Sequence, residues 1–380
     1  MSPAERVVVV GAGPAGLSTA AALSRRGVDA LVLDRDDQVG GSWARRYERL
    51  HLHTIRRFSG LAHHPIPRRY PRYLSKDEYA AYLAGYAERL GLRVALGERV
   101  AAIRPAARTE PLWEIETSRR TLGSEVVVIA TGHYAEARIP AWEGIDEFQG
   151  RLLHSAEYRT GRDFAGRRVL VVGLGNSGAE IATDLVEHGA ASVAVAVRTP
   201  PPIVTRELFG LVPVQVFGIA LMPLGIPRAV DRIGAVLRKR AVGDLRPFGL
   251  GEAAWGPFTA RRPAVIDVGF LGVLKAGQVT VRPALERLTR DGVQFADGSS
   301  EEVDVVVVAT GFGTGLESVL RDVPGVVDDD GQPLARSGRP TAAAGLYFIG
   351  FDETIRGHLF EARRESKRLA RSIARSLTRT

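Results

Sequence analysis

Short apolar runs, each followed by glycines and a helical pattern, occur twice along the chain. The first run, Val7 to Val10, leads into Gly11-Ala-Gly-Pro-Ala-Gly16 and a small-residue helix. The second run, Val169 to Val172, leads into Gly173-Leu-Gly-Asn-Ser-Gly178. Such glycines let the backbone approach a pyrophosphate, and the helix N-terminus offers free N–H groups. The pattern predicts an α/β protein with two Rossmann-like dinucleotide-binding folds.

The residues that end the next strands distinguish the two folds. After the first fingerprint, Ala30 to Leu33 ends in Asp34, where a carboxylate can accept both hydroxyls of an adenosine ribose. After the second, Val193 to Val197 ends in Arg198. A guanidinium binds a ribose 2′-phosphate, which a carboxylate would repel, so the second fold is predicted to favour NADPH over NADH. A solvent-facing arginine at a strand end is the alternative interpretation.

A second motif, a valine-rich strand followed by Ala-Thr-Gly, also occurs twice, once after each glycine fingerprint. Glu125 to Ile129 ends in Ala-Thr-Gly, and Asp304 to Val308 ends in the same three residues. Each strand follows one fingerprint, which indicates an internal duplication. We place the first fold at 1–146 and 303–380 and the second, inserted fold at 147–302, with a pocket-covering excursion over 200–244.

Helical periodicity predicts two further elements of the first fold. Ser75 to Glu78 forms a capping box, and the tyrosines and leucines that follow recur at helical spacing, which indicates a core helix. A basic amphipathic helix from His358 to Leu377 is expected to dock on the first fold. Leu211 to Pro227 is apolar, but it is too short and too rich in proline to span a bilayer. A contact of this segment with a membrane surface stays open.

Composition narrows the chemistry. The 380 residues are 45% hydrophobic and 25% charged, as expected for about two globular domains. The absence of cysteine excludes disulfides, thiolate metal sites and the CxxC pair of many reductases. The net charge of +8 comes with scattered arginines, which indicates attraction of anionic cofactors rather than nucleic-acid binding. Because the first apolar run is only a strand, we expect a cytoplasmic protein without a secretory segment.

Four histidines lie between residues 51 and 64, in an irregular stretch that we interpret as an active-site loop. No carboxylate or thiolate stands at ligand spacing among them, so no metal site is predicted. The expected partners are a small-molecule substrate and O2, and a homodimer is left open.

One segment, Phe148 to Tyr158, has no generic explanation as a nucleotide site. It reads FQGRLLHSAEY and matches FxGxxxHxxxY, the signature of the class B flavoprotein monooxygenases, together with GAGPAG, GGSW, GLGNSG and ATGF. Within that class the chain is most similar to the YUCCA-type flavin monooxygenases. That similarity is carried by YERLHLHTIRRF, IVTRELFG, PAVIDVGFLGVLKAGQVTV and GLYFIGF, so it covers nearly the whole chain.

The resemblance implies a first fold that holds FAD and an inserted fold that holds NADPH. It also implies hydride transfer to FAD, addition of O2 at flavin C4a to form a (hydro)peroxyflavin, and transfer of one oxygen atom to a small organic substrate. The cofactor contacts expected by analogy and from the fingerprints are Gly11, Gly13, Pro14, Ala15, Gly16, Asp34, Arg35, Gly41, Ser42, Trp43, His53, Thr54, Val100, Ala130, Thr131, Gly132, Gly173, Gly175, Asn176, Ser177, Gly178, Arg198, Thr310, Gly311, Phe351 and Leu359.

The resemblance places three residues in or beside the chemistry: His53, His154 and Asn176. His53 takes the position where many microsomal-type members have an asparagine near the reactive flavin, and a neutral imidazole can donate a hydrogen bond as an amide does. His154 is expected to make an interdomain hydrogen bond rather than to protonate substrate. The ending Tyr158-Arg159 lacks the Trp-Pro of typical Baeyer–Villiger members, which disfavours lactone or ester formation.

The substrate favoured by the resemblance is a 2-oxo acid such as indole-3-pyruvate. N- or S-oxygenation of an amine or sulfide stays open, because the choice depends on a local pKa that the sequence does not give. An NADPH-dependent quinone-type reductase would keep both folds and is a second alternative. A non-catalytic flavin-binding subunit would show one degenerate fingerprint, and both are intact.

Overall fold

Two parallel-stranded sheets, one for each fingerprint, organise the chain. The computed structural model describes residues 4–107, 112–208, 210–260, 262–352 and 354–378. The strands are β1 Glu5–Val10, β2 Leu31–Leu33, β3 Arg93–Ala95, β4 Val100–Pro105, β5 Trp113–Thr117, β6 Thr121–Ile129, β7 Glu136–Ala137, β8 Arg151–His154, β9 Arg168–Val172, β10 Ser192–Ala196, β11 Ile203–Thr205, β12 Glu207–Leu208, β13 Val212–Pro213, β14 Val265–Asp267, β15 Thr280–Arg282, β16 Leu285–Thr289, β17 Gly292–Phe295, β18 Ser300–Glu302, β19 Val305–Val308, β20 Phe312–Gly313 and β21 Leu346–Phe348. The α-helices are α1 Pro14–Ser24, α2 Gly41–Ala44, α3 Arg56–Ser59, α4 Lys76–Arg89, α5 Asn176–Glu187, α6 Val214–Leu221, α7 Pro227–Val242, α8 Pro257–Ala260, α9 Phe270–Lys275, α10 Leu316–Val319 and α11 His358–Ser376, with 3-10 turns at Gly161–Phe164, Met222–Leu224 and Arg246–Phe248.

The first sheet has the strand order β3-β2-β1-β6-β5-β4, with β21 paired to β6. Strand β1 runs parallel to both neighbours, so that Val8 lies opposite Leu31 on one side and Val127 on the other. Both faces of β1 are covered, which explains why it reads as an unbroken valine run rather than an alternation. The carboxyl ends of β1, β6 and β21 therefore meet at one edge, where the first fingerprint turn lies.

The second sheet repeats this arrangement with the order β15-β10-β9-β19-β8, and all its pairings are parallel. Strand β19 lies beside β9, as β6 lies beside β1. The predicted domain boundary at residue 303 lies just before β19, so it falls one strand too early for the sheet. Pairing of β19 with β8 and β9 keeps it in the second fold, and the chain rejoins the first sheet only at β21.

The chain crosses between the two folds twice, and the two crossings pair with each other. Strand β7 follows the Ala-Thr-Gly turn of the first fold, and β20 follows that of the second. They form an antiparallel ribbon in which Phe312 lies opposite Ala137. We call β7 and β20 the crossover ribbon.

Two helices complete the first fold as the periodicity predicts. The capping box of Ser75 with Glu78 is present at the start of α4, whose tyrosines Tyr79, Tyr82 and Tyr86 are buried. Helix α11 packs on α1, and the hydroxyls of Ser18 and Ser366 meet at 2.9 Å between them. Docking of the C-terminal helix on the first fold is confirmed.

The excursion of the second fold is longer than the predicted 200–244. Strand β11 pairs with β14, so the excursion extends at least to Asp267. Its helix α6 lies against the first fold, where Gln215 accepts from the N–H of Ile55 at 3.0 Å and donates to the carbonyl of Arg356 at 2.9 Å. Within the described ranges, no helix is long and apolar enough to cross a membrane.

Candidate active site between two dinucleotide folds

The first fingerprint turn is closed by contacts that only glycine permits. Gly11 has φ +109°, and a Cβ atom on it would lie 2.7 Å from the carbonyl oxygen of Ala130. A Cβ atom on Gly16 would lie 1.9 Å from the carbonyl oxygen of Gly11. These two glycines are therefore required by the protein itself, because strand, turn and helix approach too closely for any side chain.

The second fingerprint turn has the same constraints at nearly the same distances. Gly173 has φ +102°, with the added Cβ 2.7 Å from the carbonyl oxygen of Ala309, and Gly178 would meet the carbonyl of Gly173 at 2.0 Å. The backbone bonds repeat as well, since Gly11 and Gly173 each donate to the last residue of the next strand along the chain, Leu33 at 2.8 Å and Ala196 at 2.9 Å. The internal duplication is thus a duplication of local geometry.

The middle glycine of each turn, Gly13 or Gly175, behaves differently. A Cβ atom there would meet nothing within 4 Å, although each residue caps the N-terminus of a long helix. The backbone N–H groups at both helix starts lack a side-chain cap. Open space beside free N–H groups at a helix N-terminus fits a pyrophosphate, so the residues present are suited to hold one dinucleotide in each fold.

Asp34 lies at the carboxyl end of β2, beside the first turn. Its carboxylate accepts from the backbone N–H of Ala12 at 2.5 Å and of Asp36 at 2.8 Å. Burial nevertheless raises the pKa of this carboxyl, against the lowering effect of the two N–H donors. The acid is therefore fixed at the edge where an adenosine ribose would lie.

Most of the other predicted contacts of the first fold lie around the same edge of the sheet. Val100, on the outermost strand β4, and the exposed Arg35 are the two exceptions. The turn 130–132 follows β6, Phe351 and Leu359 are buried near the start of α11, and Val100 begins β4. The residues Gly41, Ser42 and Trp43 form α2, where the Trp43 ring meets Tyr79 edge to face with centroids 4.7 Å apart. Arg35 is exposed.

In the second fold, Arg198 is exposed just after β10, beside the fingerprint strand β9. Thr310 and Gly311 follow β19, and the Thr310 hydroxyl donates to the carbonyl of Arg138. Asn176 begins α5, and its side-chain oxygen accepts from the N–H of Ile266 at 2.7 Å. Asn176 therefore holds strand β14 of the excursion against the second fingerprint.

The FxGxxxHxxxY segment has a structural role at each of its four positions. Gly150 lies under the ring of Phe148, which a Cβ atom would meet at 2.3 Å. The imidazole of His154 is buried, donates from Nε2 to the carbonyl of Gly311 at 3.0 Å and accepts at Nδ1 from the N–H of Ala156 at 3.1 Å. The hydroxyl of Tyr158 donates to Asp184 on α5 at 2.7 Å. The segment thus fastens the crossing to the second fold.

His154 is placed as a hydrogen-bonding residue of the crossing. Burial lowers its pKa, so the neutral ring donates to Gly311 rather than carrying a mobile proton. Its ring meets Phe312 of the crossover ribbon edge to face, with centroids 4.7 Å apart. The guanidinium of Arg46, from the first fold, lies 5.3 Å from the same Phe312 ring and 5.2 Å from that of Tyr134. This cluster joins both folds at the ribbon.

His53 lies in the irregular loop between Trp43 and α3, and its Nε2 is 2.7 Å from Oε1 of Glu180 on α5. Glu180 is only 3% exposed. The hydroxyl of Tyr47 also interacts with Ser177 and Glu180, and burial raises the pKa of this phenol far above its usual value. The predicted active-site loop therefore contacts the helix that begins at the second fingerprint.

Sequence reasoning missed Glu180, Tyr47 and Gln215, and it also missed a histidine pair. The ring of His133, just after the first Ala-Thr-Gly turn, lies 5.8 Å from that of His358 at the start of α11. Burial, and then the proximity of His133, lowers the pKa of His358 to about 4. A signal for Glu180 existed, because an acid in the fingerprint helix follows Gly178 by two residues, but acids on a helix usually face solvent.

A cavity of about 690 Å³ opens between the loop and the C-terminal end of α5. Its wall carries closed ion pairs, among them Arg49 with Glu187 at 2.9 Å. The described part of the chain holds no group of three or more histidines and carboxylates able to hold a metal ion.

The two kinds of fingerprint glycine predict different losses on substitution. Gly13→Ala fills open space, so it should cost less than about 1 kcal/mol of folding stability while its methyl group displaces the pyrophosphate of the first dinucleotide. Gly16→Ala forces a clash with the Gly11 carbonyl and should destabilise the fold by about 3 kcal/mol or more. Thermal melting together with flavin absorbance after gel filtration measures both.

Gly175→Ala is the matched control, since it should keep the flavin and lose the nicotinamide nucleotide. Retention of flavin at wild-type occupancy by Gly13→Ala would contradict the assignment of the open space.

Comparison with known proteins agrees with this geometry. The family model described as flavin-binding monooxygenase-like matches residues 4–321. The indole-3-pyruvate monooxygenase YUCCA1 of Oryza sativa subsp. japonica is 39% identical over 91% of this chain and 86% of its own length. A variant of the flavin monooxygenase from Stenotrophomonas maltophilia superposes with a TM-score of 0.77, at 26% identity, over 99% of both chains.

The same fold is seen in OTEMO in complex with FAD and NADP, with a TM-score of 0.73 and 19% identity over 100% of this chain and 86% of that one. Family membership and two intact dinucleotide turns make the protein an enzyme, a flavin-dependent monooxygenase with FAD and NADPH as cofactors and with O2 and a small molecule as substrates. Both the fold class and the resemblance inferred from the sequence are confirmed. The chain belongs to the flavin-binding monooxygenase-like family.

Proposed function

We propose that the enzyme oxygenates a 2-oxo acid of the indole-3-pyruvate type and releases the acid that is one carbon shorter. The observation that carries this proposal is the 39% identity to an indole-3-pyruvate monooxygenase over nearly the whole chain. The balanced reaction consumes the 2-oxo acid, O2, NADPH and a proton, and yields the shortened carboxylate, CO2, water and NADP⁺. The net charge of +8 favours the approach of an anionic substrate.

The first fold is proposed to hold FAD and the second to hold NADPH. Supporting this allocation, Asp34 stands at the ribose position of the first fold, whereas the exposed Arg198 stands at the corresponding position of the second. The flavin, when bound, supplies hydride acceptance and activation of O2. The protein's own residues then bind, orient and exclude water.

Four parts of the chain carry those tasks in this proposal. The open turns at Gly13 and Gly175 hold the pyrophosphates, and His53 stands beside the flavin as a hydrogen-bonding group. Helix α6, fastened through Gln215 to both the loop and the start of α11, covers the site and excludes water. His154 holds the crossover ribbon, so that the two cofactors keep a fixed relation.

We also propose a cytoplasmic location and a homodimer. The absence of cysteine suits a reducing compartment, where disulfides would not contribute. For the dimer, the supporting feature is a row of exposed apolar side chains on and before α7, at Ile226, Ile233 and Val236, which a second copy would cover.

The substrate class is tested by measuring how much product is formed for each NADPH oxidised. Holoenzyme with NADPH and O2 should convert indole-3-pyruvate to the shortened acid with about one product per NADPH oxidised, measured by chromatography and by absorbance at the nicotinamide band. Dimethylaniline and methyl phenyl sulfide should leave most NADPH oxidation uncoupled. Preferential coupling to the amine or sulfide would overturn the 2-oxo acid proposal, and equal turnover on a quinone without oxygenated product would favour a reductase.

The role of Arg198 predicts a difference between the two nicotinamide nucleotides. Arg198→Ala should raise the KM for NADPH about 10- to 100-fold, the loss expected when a charge-assisted hydrogen bond to phosphate is removed, and should leave the KM for NADH nearly unchanged. Arg167→Ala is the control, because this exposed arginine lies at the opposite end of the same sheet. Equal changes for NADPH and NADH would refute the 2′-phosphate role.

A further inference from the structure

We infer that Glu180 is the positioning residue of His53, and that it couples the loop of the first fold to the helix of the second dinucleotide site. The inference rests on the proposed function, because the place of His53 beside the flavin belongs to that proposal. What carries it is a buried carboxylate, 3% exposed, with Oε1 at 2.7 Å from Nε2 of His53. The two residues come from different folds.

A carboxylate buried this far must be paired, because an uncompensated buried charge is strongly destabilising. Glu180 finds its donors on one segment of the first fold, the loop that contains Tyr47 and His53. Burial and the nearby carboxylate raise the pKa of Tyr47, so the phenol keeps its proton and can donate. The carboxylate thus bonds directly to His53 and has the protonated phenol of Tyr47 beside it, both on one loop.

The carboxylate also decides which nitrogen of His53 carries the proton. An ionised carboxylate only accepts hydrogen bonds, so Nε2 must be the protonated nitrogen. The neutral ring then presents Nδ1 as an acceptor only. A neutral His53 therefore cannot replace an amide donor at the flavin while it stays bonded to Glu180, contrary to the sequence-based expectation. Donation from Nδ1 requires the doubly protonated ring, with its charge balanced by Glu180.

The position of Glu180 on α5 gives this contact a second consequence. Asn176 and Ser177 begin the helix at the second dinucleotide turn, and Glu180 follows Ser177 by three residues, on the next turn of the helix. A dinucleotide bound at the start of α5 would therefore contact the same helix whose Glu180 orients His53. The pair links the two cofactor sites through one helix turn.

Glu187 provides a matched control on the same helix. It lies seven residues after Glu180, so it faces the same loop, and its carboxylate pairs with Arg49 at 2.9 Å. Its side chain is 47% exposed, and it does not touch His53. Glu187→Gln therefore removes another interdomain contact between a carboxylate of α5 and this loop, without changing the partner of the imidazole.

The test combines a spectroscopic readout with coupling. Holoenzyme carrying ¹⁵N-labelled histidine is compared for wild type, Glu180→Met, Glu180→Gln and Glu187→Gln, with the His53 signals assigned from a His53→Asn variant. Wild type and Glu187→Gln should show His53 protonated at Nε2. Glu180→Met should show a mixture of tautomers, and hydrogen peroxide release per NADPH should rise about ten-fold, the lower end of the loss seen when a carboxylate that orients a histidine is removed.

Glu180→Gln keeps the shape of the side chain and serves if the methionine variant does not fold. It should also release more peroxide than Glu187→Gln, since the amide retains an acceptor but no charge. Wild-type tautomer and wild-type coupling in both Glu180 variants would overturn the inference. Failure of wild type to couple NADPH to any 2-oxo acid would instead count against the proposed function, and the imidazole signals would still decide the role of Glu180.

Discussion

Two buried carboxylates on helix α5 fix the active-site loop of the first fold and the signature segment against the second fold. Glu180 accepts from His53, and Asp184 accepts from the hydroxyl of Tyr158 and the N–H of Gly161, each at 2.7 Å. Each acid is only 3% exposed, and leaving such a charge without a partner costs about 3–5 kcal/mol. The active-site loop and the end of the signature segment therefore have to lie against α5. Helix α5 begins at the second dinucleotide turn. The active-site loop of the first fold is therefore positioned by the same helix that is suited to bind the second dinucleotide.

This constraint explains why the FxGxxxHxxxY segment accompanies two nucleotide folds. A monooxygenase must bring a nicotinamide to a flavin and then keep water away from the reactive flavin. His154 bonds to the turn after β19, and Tyr158 bonds to α5, so both fasten the crossing between the folds to the second fold. The crossover ribbon, with Phe312 between His154 and Arg46, completes the joint.

Local sequence patterns were sufficient to predict the helices, strands and turns. Pairings between segments that are far apart in the sequence could not be predicted in this way. The glycine turns, the valine strands, the capping box and the terminal amphipathic helix depend on neighbouring residues, and all were predicted correctly. The pairing of β19 with β8, and that of β11 with β14, joins segments more than 60 residues apart, so the boundaries at 303 and 244 were misplaced. Glu180 was missed for a different reason. An acidic residue on an amphipathic helix normally faces water, and only the structure shows the histidine that covers it.

Incorporation of isotopic oxygen distinguishes oxygen transfer to substrate from simple oxidation of NADPH. The holoenzyme is supplied with NADPH, indole-3-pyruvate and ¹⁸O2, and the acid product is analysed by mass spectrometry. We expect one labelled atom in each product carboxylate, with the second labelled atom in water. An unlabelled product, or label recovered only as hydrogen peroxide, would contradict an oxygen-transferring active site between the two folds.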